Sequence, residues 1–274
     1  MSRAGRANPV AGAAAAAWLV VVAVPVTFIV LSSLRRQQDY LTAGAITLPS
    51  HPGADNYRTV WRLGFGHFLA NSAVVTAATV VLVLGTALPA AYGIVRGTSR
   101  AVRVGFSLFL VGLAIPAQAV VIPIYYLVTR VHLYDSLTAI VLPTAAFSLP
   151  TAIVVLTSTL RDIPADLHEA MTLDGAGAAR TFLRLVVPLS VPGLATVGIF
   201  SGLNAWNGFL FPLVLTQSTQ QRVLPLGLWG FQNQYGTDVP GLMAAVVVSA
   251  APVLVLYLIG RRHLLRGLSA GFGK

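Results

Sequence analysis

The sequence predicts an all-α integral membrane protein, because its charges are few and fall between long apolar stretches. Of its 274 residues, 56% are hydrophobic and 9% are charged, whereas soluble domains carry about 25% charged residues. Six intervals lack Asp, Glu, Lys and Arg, and each can hold the roughly 20 apolar residues that cross a bilayer. They predict six transmembrane helices in one domain, 1–274, with spans at about 11–34, 67–95, 104–129, 137–160, 190–214 and 239–260.

The first span follows basic residues, as the apolar part of a secretion signal would. Its apolar part runs for about 24 residues from Val10 without a convincing small-residue cleavage site, which predicts a retained helix. The hydrophilic stretch 35–66 then forms the main external loop, where Asp55-Asn56-Tyr57 indicate a short structured approach to the second span. In the third span Pro116 and Pro123 flank the polar Gln118, which predicts a kink there.

Lysine and arginine predict the orientation of the helices. With six spans both termini lie on one side, and twelve basic residues fall on that side against six on the other. Cytoplasmic loops are enriched in Lys and Arg, so both termini are expected in the cytoplasm. Arg35 and Arg36, directly after the first span, depart from this rule. The net charge of +10 is then a topology signal, and no nucleic-acid partner is expected.

The residue inventory predicts neither a catalytic nor a metal site. The chain has no cysteine, its five histidines lack metal-ligand spacing, and no predicted span holds an Asp or Glu. An intramembrane enzyme would need a catalytic pair within its spans. We therefore expect no metal ion and no cofactor bound by this chain.

A hydrophilic segment, 161–189, separates the fourth and fifth spans. Its acidic residues, the only ones predicted on the cytoplasmic side, are Asp162, Asp166, Glu169 and Asp174. Pro164 suits a first helical turn and Gly175 a left-handed stop, which together predict a helix over about 164–173. A second helical piece is predicted over about 178–187.

The first of these helices has one apolar face, formed by Ile163, Leu167, Ala170 and Met171. Two explanations are open. The helix could lie flat in the membrane interface, or it could dock in a groove of another protein. Its polar face carries carboxylates, which anionic lipid repels, and this favours the protein groove.

Three motifs share one resemblance. The hydrophilic segment reads Glu169-Ala170-Met171-Thr172-Leu173-Asp174-Gly175-Ala176, then Phe182 and Val187-Pro188-Leu189. The fifth span contains Asn204-Ala205-Trp206-Asn207-Gly208-Phe209-Leu210-Phe211-Pro212-Leu213, and a tail reads Leu264-Leu265-Arg266-Gly267-Leu268-Ser269-Ala270-Gly271. In order and spacing these resemble the smaller permease subunit of maltose-type, binding-protein-dependent carbohydrate importers of the ABC class.

The resemblance implies a permease subunit that imports a carbohydrate, most simply an oligosaccharide, by alternating access in the bacterial cytoplasmic (inner) membrane. The implied partners are a second homologous permease, a dimer of ATPase subunits that use ATP and Mg, an extracytoplasmic sugar-binding protein and membrane lipid. The single lysine, Lys274, excludes a phosphate-binding loop in this chain. ATP would therefore be hydrolysed by the partner ATPase.

The resemblance also implies a role for segment 161–189, which would couple this chain to the ATPase as a cytoplasmic coupling-helix loop. The implied coupling residues are Glu169, Ala170, Asp174, Gly175, Ala176, Phe182 and Pro188. Glu169 would pair with a basic group of the ATPase, and Gly175 would allow the turn between the two helices. In the tail, Ser269 and Gly271 would contact the ATPase subunits.

Polar residues near mid-membrane suggest a route for the solute. The candidates are Gln118, Asn204, Trp206, Asn207 and Phe211. Amides can meet sugar hydroxyls, and aromatic faces can meet apolar ring edges. The same amides could instead form hydrogen bonds that hold the helices together, and both explanations stay open.

Two rival functions remain. A permease of the same class for a polyamine or glycerol phosphate would need a charged site within the spans. An ion-coupled secondary transporter would carry intramembrane carboxylates and work without an ATPase. Copurification with an ATPase, and the ligand of the accompanying binding protein, would separate these functions.

Overall fold

Most of the residues that the structure describes are helical, as the sequence predicts. The structure, a computed structural model, describes residues 9–271 except 46, 50, 234 and 235. In that part of the chain the α-helices are α1 (Pro9–Ser33), α2 (Gln37–Ala43), α3 (Asp55–Arg62), α4 (Phe65–Arg96), α5 (Arg100–Gly112), α6 (Ala117–Arg130), α7 (Leu137–Arg161), α8 (Ala165–Leu173), α9 (Ala178–Thr181), α10 (Val187–Leu189), α11 (Val191–Trp206), α12 (Leu210–Leu215), α13 (Leu224–Gly227) and α14 (Val239–Gly271). The shorter elements are a π-helical turn (Phe182–Val186), two 3₁₀ turns (Thr219–Gln221 and Leu228–Phe231) and the antiparallel strands β1 (Gln232–Asn233) and β2 (Gly236–Thr237).

Four of the described helices are long and apolar enough to cross a membrane. They lie where the sequence predicts the first, second, fourth and sixth spans, at Val10–Ser33, Phe65–Arg96, Leu137–Arg161 and Val239–Leu258. Two more pairs of helices pass the same test together but are sharply bent. The described residues therefore provide four spans, or up to six if each bent pair is one span.

The first bent pair is α5 and α6, which meet at 106°. The expectation of one continuous helix over 104–129 is therefore wrong. Pro116 takes an extended conformation with φ −72° and ψ 133°, directly before the first residue of α6. Proline lacks an N–H and disfavours the helical conformation in the residue before it. The proline thus breaks the span where the sequence predicts only a kink.

The fifth span also differs from the expected helix over 190–214. Residues 178–189 and α11 are bent by 71°, and α11 ends at Trp206. A turn at 207–209 then leads into α12. A Cβ at Gly208 would lie 3.2 Å from two backbone carbonyl oxygens, so a larger residue would require the backbone to shift by a few tenths of an ångström.

The last helix is longer than expected. The sequence predicts an end near 260, whereas α14 continues to Gly271. Ser269 and Gly271 therefore belong to the helix and not to a separate tail. Lys274 lies outside the described residues.

One compact unit contains the described residues up to Gly66 and those from Leu228 to Leu258. Within it Arg35 is only 2% exposed. Its guanidinium donates hydrogen bonds to the carbonyl oxygens of Asp39, Gly44 and Ala45 and to Oγ1 of Thr47, at 2.8–3.1 Å. The guanidinium therefore stabilises the loop after α1. This accounts for the departure of Arg35 from the charge rule.

The second unit contains His67–Gly227 and the described residues from Ile259 onward. Its core is formed by side chains of α4, α7, α11 and segment 161–189, among them Val83, Ala87, Leu156, Val186 and Val197. A Cβ at Gly193 would lie 2.6 Å from Oγ1 of Thr159. The start of α11 therefore packs against the end of α7 without an intervening side chain, which fixes where segment 161–189 leaves and rejoins this unit.

Candidate functional site

The hydrophilic segment begins with α8, whose ends are built much as the sequence predicts. Pro164 lies directly before the first helical residue, where its missing N–H costs no hydrogen bond. Gly175 has φ +70°, a conformation that glycine adopts without steric cost. The Ala176 N–H donates to the Met171 carbonyl at 2.9 Å, and the Gly175 N–H donates to the Thr172 carbonyl at 3.0 Å. This pair of bonds is a Schellman motif, which confirms the predicted stop.

The outer surface of α8 is exposed along its whole length. No residue of the helix is buried, and Leu173 is 89% exposed. Glu169 and Ala170 are exposed, whereas Met171 is half-buried. Among the described residues, no carboxylate of the segment forms an ion pair. The helix therefore presents both acidic and apolar groups that the described part of the chain leaves uncovered.

The inner side of α8 rests on Tyr92, in the last turns of α4. The Tyr92 ring stacks on His168 with centroids 6.4 Å apart and lies 5.5 Å from the Phe182 ring. Burial lowers the pKa of His168, and the nearby Arg96 lowers it further, so the imidazole is neutral near pH 7. One ring thus joins both helical pieces of the segment to α4. The sequence gives a weak signal for this contact, since Tyr92 is the last aromatic residue of its span.

The second helical piece is less regular than the helix expected over 178–187. It consists of α9, the π-helical turn that begins at Phe182, and α10. Pro188 cannot donate a hydrogen bond to the carbonyl of Arg184, four residues earlier, and its ring crowds that carbonyl. A wider turn relieves this crowding. Pro188 thus accounts for the wider helical turn that precedes α11.

The polar residues proposed for a solute route lie in different settings. Asn204 is exposed on α11. Asn207 follows that helix, and its side-chain amide donates to the Leu203 carbonyl at 2.9 Å. Trp206 is half-buried, and Gln118 is exposed in the first turn of α6. The structure therefore groups the two asparagines and the tryptophan at the end of α11, while Gln118 comes from another helix.

Phe211 belongs to the core and not to this group. It is 8% exposed, and its ring lies 5.6 Å from the ring of Phe147. On a continuous helix Phe211 would share a face with Asn204, seven residues earlier. The turn at 207–209 interrupts that helix, so the shared face is lost. We therefore remove Phe211 from the set of route residues.

The described residues contain no group of three or more His, Asp or Glu side chains placed to hold a metal ion. The exposed polar side chains around the end of α11 are the amides of Asn204 and Asn207, and the exposed apolar ones include Phe200, Leu203 and Phe209. Such groups recognise neutral solutes by hydrogen bonds and ring contacts. They do not supply the charge that an ionic solute would require.

Asp135 forms polar contacts with the chain after α12 that the sequence does not predict. It has φ +58°, and its N–H donates to the Leu215 carbonyl at 2.9 Å. Its carboxylate accepts hydrogen bonds from the N–H groups of Gln217 and Ser218 at 2.9 and 3.0 Å. The turn between α6 and α7 is thereby fastened to the chain after α12. These backbone bonds lower the pKa of Asp135.

This contact predicts a pH-dependent stability. A carboxylate whose pKa is lowered by folding stabilises the protein above the unfolded pKa of about 3.9, and that contribution is lost as pH falls through the lower folded pKa. Asp135→Asn, which keeps the side-chain shape at this positive φ and removes the charge, should lower the melting temperature by about 2–4 °C at pH 7 and by less near pH 3. Asp55→Asn, whose carboxylate forms only an exposed pair with Arg58, should change little at either pH. An equal loss at both pH values would contradict the role of the charge.

Comparisons with known proteins place the chain in one family. Residues 83–270 match the family of binding-protein-dependent transport system inner membrane components. This family consists of transport subunits and not of enzymes. The chain is 38% identical to an ABC transporter permease protein of a Caldicellulosiruptor species over 93% of both chains. It is 31% identical to the diacetylchitobiose uptake system permease protein of Streptomyces coelicolor, over 93% of this chain and 85% of that protein.

The fold has a close counterpart among solved structures. A chain of a bacterial ABC transporter involved in the import of the acidic polysaccharide alginate superposes with a TM-score of 0.80. The match covers 96% of this chain and 99% of that chain at 21% sequence identity. At that identity the comparison shows a shared fold alone.

Proposed function

Because this chain belongs to the family of binding-protein-dependent transport system inner membrane components, we propose that it is the permease through which an ABC importer moves a carbohydrate, most simply an oligosaccharide. Relatives matched over most of this chain are permease proteins of a diacetylchitobiose uptake system and of an arabinooligosaccharides transport system. The exposed amides at the end of α11 suit a neutral, hydroxyl-rich solute. No predicted span holds an acidic or basic residue, which disfavours a polyamine or glycerol phosphate.

The proposal includes six spans with both termini in the cytoplasm of a bacterial cell. Counting each bent pair as one span gives six, and the distribution of Lys and Arg favours this orientation. Segment 161–189 then lies in the cytoplasm between the fourth and fifth spans. The hydrogen bonds of Arg35 to the loop after α1 give that residue a structural role, while Arg36 still departs from the charge rule.

Segment 161–189 is proposed to dock on the ATPase. The observation that supports this proposal is that the two sides of α8 differ. Its inner side packs on Tyr92, whereas its outer acidic and apolar groups are exposed. A helix held in this way can transmit a movement of its partner to α4 as a rigid body. The complete assembly would contain a second homologous permease, an ATPase dimer that binds ATP and Mg, and an extracytoplasmic sugar-binding protein. The α14 end, with Ser269 and Gly271, is proposed to contact the ATPase.

The function is tested by purifying the tagged chain with its copurifying subunits and reconstituting them in proteoliposomes. ATP-driven uptake should require the binding protein and should occur for an oligosaccharide. Uptake of a polyamine or glycerol phosphate alone would support the first rival. Uptake driven by an ion gradient without ATP would support a secondary transporter.

The proposed route predicts a modest effect of Asn204. Removing one amide hydrogen bond costs about 0.5–1.5 kcal/mol, or a few-fold in apparent affinity. Asn204→Leu should therefore weaken uptake a few-fold, with unchanged basal ATP hydrolysis and melting temperature. Asn207→Leu should weaken uptake and also lower stability, because Asn207 bonds to the end of α11. Uptake rate, ATPase rate and melting temperature are measured on one reconstituted complex.

Phe211→Leu is the matched control for this prediction. It should lower the melting temperature, because the buried ring packs on Phe147, and leave the apparent affinity unchanged. If Asn204→Leu behaves like Phe211→Leu, the asparagine is a packing residue and the route lies elsewhere.

A further inference from the structure

His168 lies on the inner side of α8, against the last turns of α4. Its ring is stacked on the Tyr92 ring, with an angle of 23° between the two ring planes. Its Nδ1 atom is buried and has no hydrogen-bond partner among the described residues. A neutral imidazole tolerates this setting, because one of its two ring nitrogens carries no hydrogen and needs no acceptor. The contact between α8 and α4 therefore suits an uncharged ring.

The groups around His168 do not offset a positive charge on it. Arg96, the last residue of α4, is close enough for its charge to disfavour a second cation. The stacked tyrosine is a neutral group, and the second helical piece contributes the uncharged ring of Phe182. On α8 itself Asp166 and Glu169 are exposed, and no described residue forms an ion pair with His168. A proton would therefore add an unpaired N–H and a second positive charge to this contact.

Protonation of His168 thus opposes the packing of α8 on α4. We propose that His168 makes the coupling segment sensitive to acid, so that a fall in cytoplasmic pH releases α8 from α4 and reduces the uptake obtained per ATP hydrolysed. This inference rests on the proposed function, because segment 161–189 must lie in the cytoplasm and transmit the movement of the ATPase. It adds regulation to that function.

The pH range of the effect follows from the two states of the ring. When α8 is detached, the exposed imidazole has the ordinary pKa of about 6.5. When α8 is packed on α4, the pKa of His168 is lower, first because of burial and then because of Arg96. Attachment is therefore most stable above about pH 6.5 and weakens as the pH falls toward the lower pKa. If the packed ring bound no proton, the ratio of detached to attached α8 would rise about tenfold from pH 7.5 to 5.5.

The mobility of α8 tests the proposal without relying on transport. A spin label is placed at Thr172→Cys in the full chain with its copurifying subunits, and spectra are recorded from pH 7.5 to 5.5. The mobile fraction should rise several-fold and reversibly, with about tenfold as the upper limit. His168→Phe keeps a ring on Tyr92 and cannot be protonated, so its label should stay immobile throughout. Thr59→Cys is the matched label control, because each threonine is exposed and bonds only to the carbonyl four residues earlier.

Uptake per ATP hydrolysed is measured in parallel, in proteoliposomes buffered at the same pH values on the side of the ATPase. The ratio should fall on acidification in the unmodified chain and depend little on pH in His168→Phe. Arg96→Gln removes the neighbouring cation, so the packed ring should accept a proton more readily. The pH response of the Thr172→Cys label should therefore become smaller in that variant.

Three results would overturn the proposal. The label on α8 could be equally mobile at all pH values in the unmodified chain. His168→Phe could show the same pH response as the unmodified chain, or mobility could change while uptake per ATP stays constant. If His168→Phe is not stably made, His168→Gln replaces it, because glutamine also gains no charge. A lack of ATP-driven uptake at pH 7.5, together with the expected change in mobility, would instead refute the proposed function and support the acid-sensitive packing of α8.

Discussion

Glu169→Lys is expected to abolish ATP-driven uptake while the chain is still made and inserted. If α8 docks in a groove of the ATPase, the exposed Glu169 carboxylate faces a basic group, and lysine would bring like charges together. Docking should weaken by on the order of 1–3 kcal/mol. Every transport cycle would then depend on this contact, so uptake of labelled oligosaccharide into proteoliposomes should fall to background. Normal uptake by a stably made variant would remove Glu169 from the docking surface.

Glycine variants in the same segment separate docking from general damage. Gly175 has φ +70°, whereas Gly177 has φ −70°, and a Cβ added at Gly177 would meet no atom within 4 Å. A β-branched residue is strained at a positive φ. Gly175→Val should therefore disturb the turn after α8 and abolish uptake, while Gly177→Val should leave uptake nearly unchanged. Equal uptake by both variants would contradict a coupling role for the turn.

Local chemistry explains which features the sequence predicts well. The helix over 164–173 and its stop at Gly175 depend on residues that are adjacent in the chain, namely a proline, a glycine and a run of good helix formers. The long spans depend on the absence of charge. Both features depend on residues that lie close together in the chain, so they can be predicted from one sequence.

Features that depend on distant residues are not predicted. The stacking of Tyr92 on His168 joins residues that are far apart in the chain, and the Asp135 contact depends on backbone N–H groups after α12. The burial of Phe211 depends on the turn at 207–209, which reorients every residue after it. In these cases tertiary packing determines which groups are in contact. For Phe211, periodicity on a continuous helix places the side chain on the wrong face.

Tyr92→Ala is expected to uncouple ATP hydrolysis from uptake. Each aromatic pair contributes about 0.5–1.5 kcal/mol beyond area burial, so losing the contacts with His168 and Phe182 should weaken the attachment of α8 by about 1–3 kcal/mol. The docking surface itself stays intact, because Glu169 and Ala170 are untouched. The ATPase should still bind the permease and hydrolyse ATP. Its movement should be transmitted less effectively from α8 to α4. We expect uptake to fall by at least about tenfold with ATP hydrolysis retained.

Both the coupling and the mobility of α8 can be measured. The chain has no cysteine, so Thr172→Cys provides one site for a spin label on α8, and its mobility should rise in the Tyr92→Ala background. Tyr92→Phe keeps both ring contacts and should restore uptake and low mobility. Tyr125→Ala removes an aromatic pair with Tyr134, whose centroids are 5.5 Å apart, and should leave coupling unchanged because that pair lies outside segment 161–189. If Tyr92→Ala and Tyr125→Ala give the same ratio of uptake to ATP hydrolysis, the Tyr92 ring stabilises the protein without transmitting movement from α8.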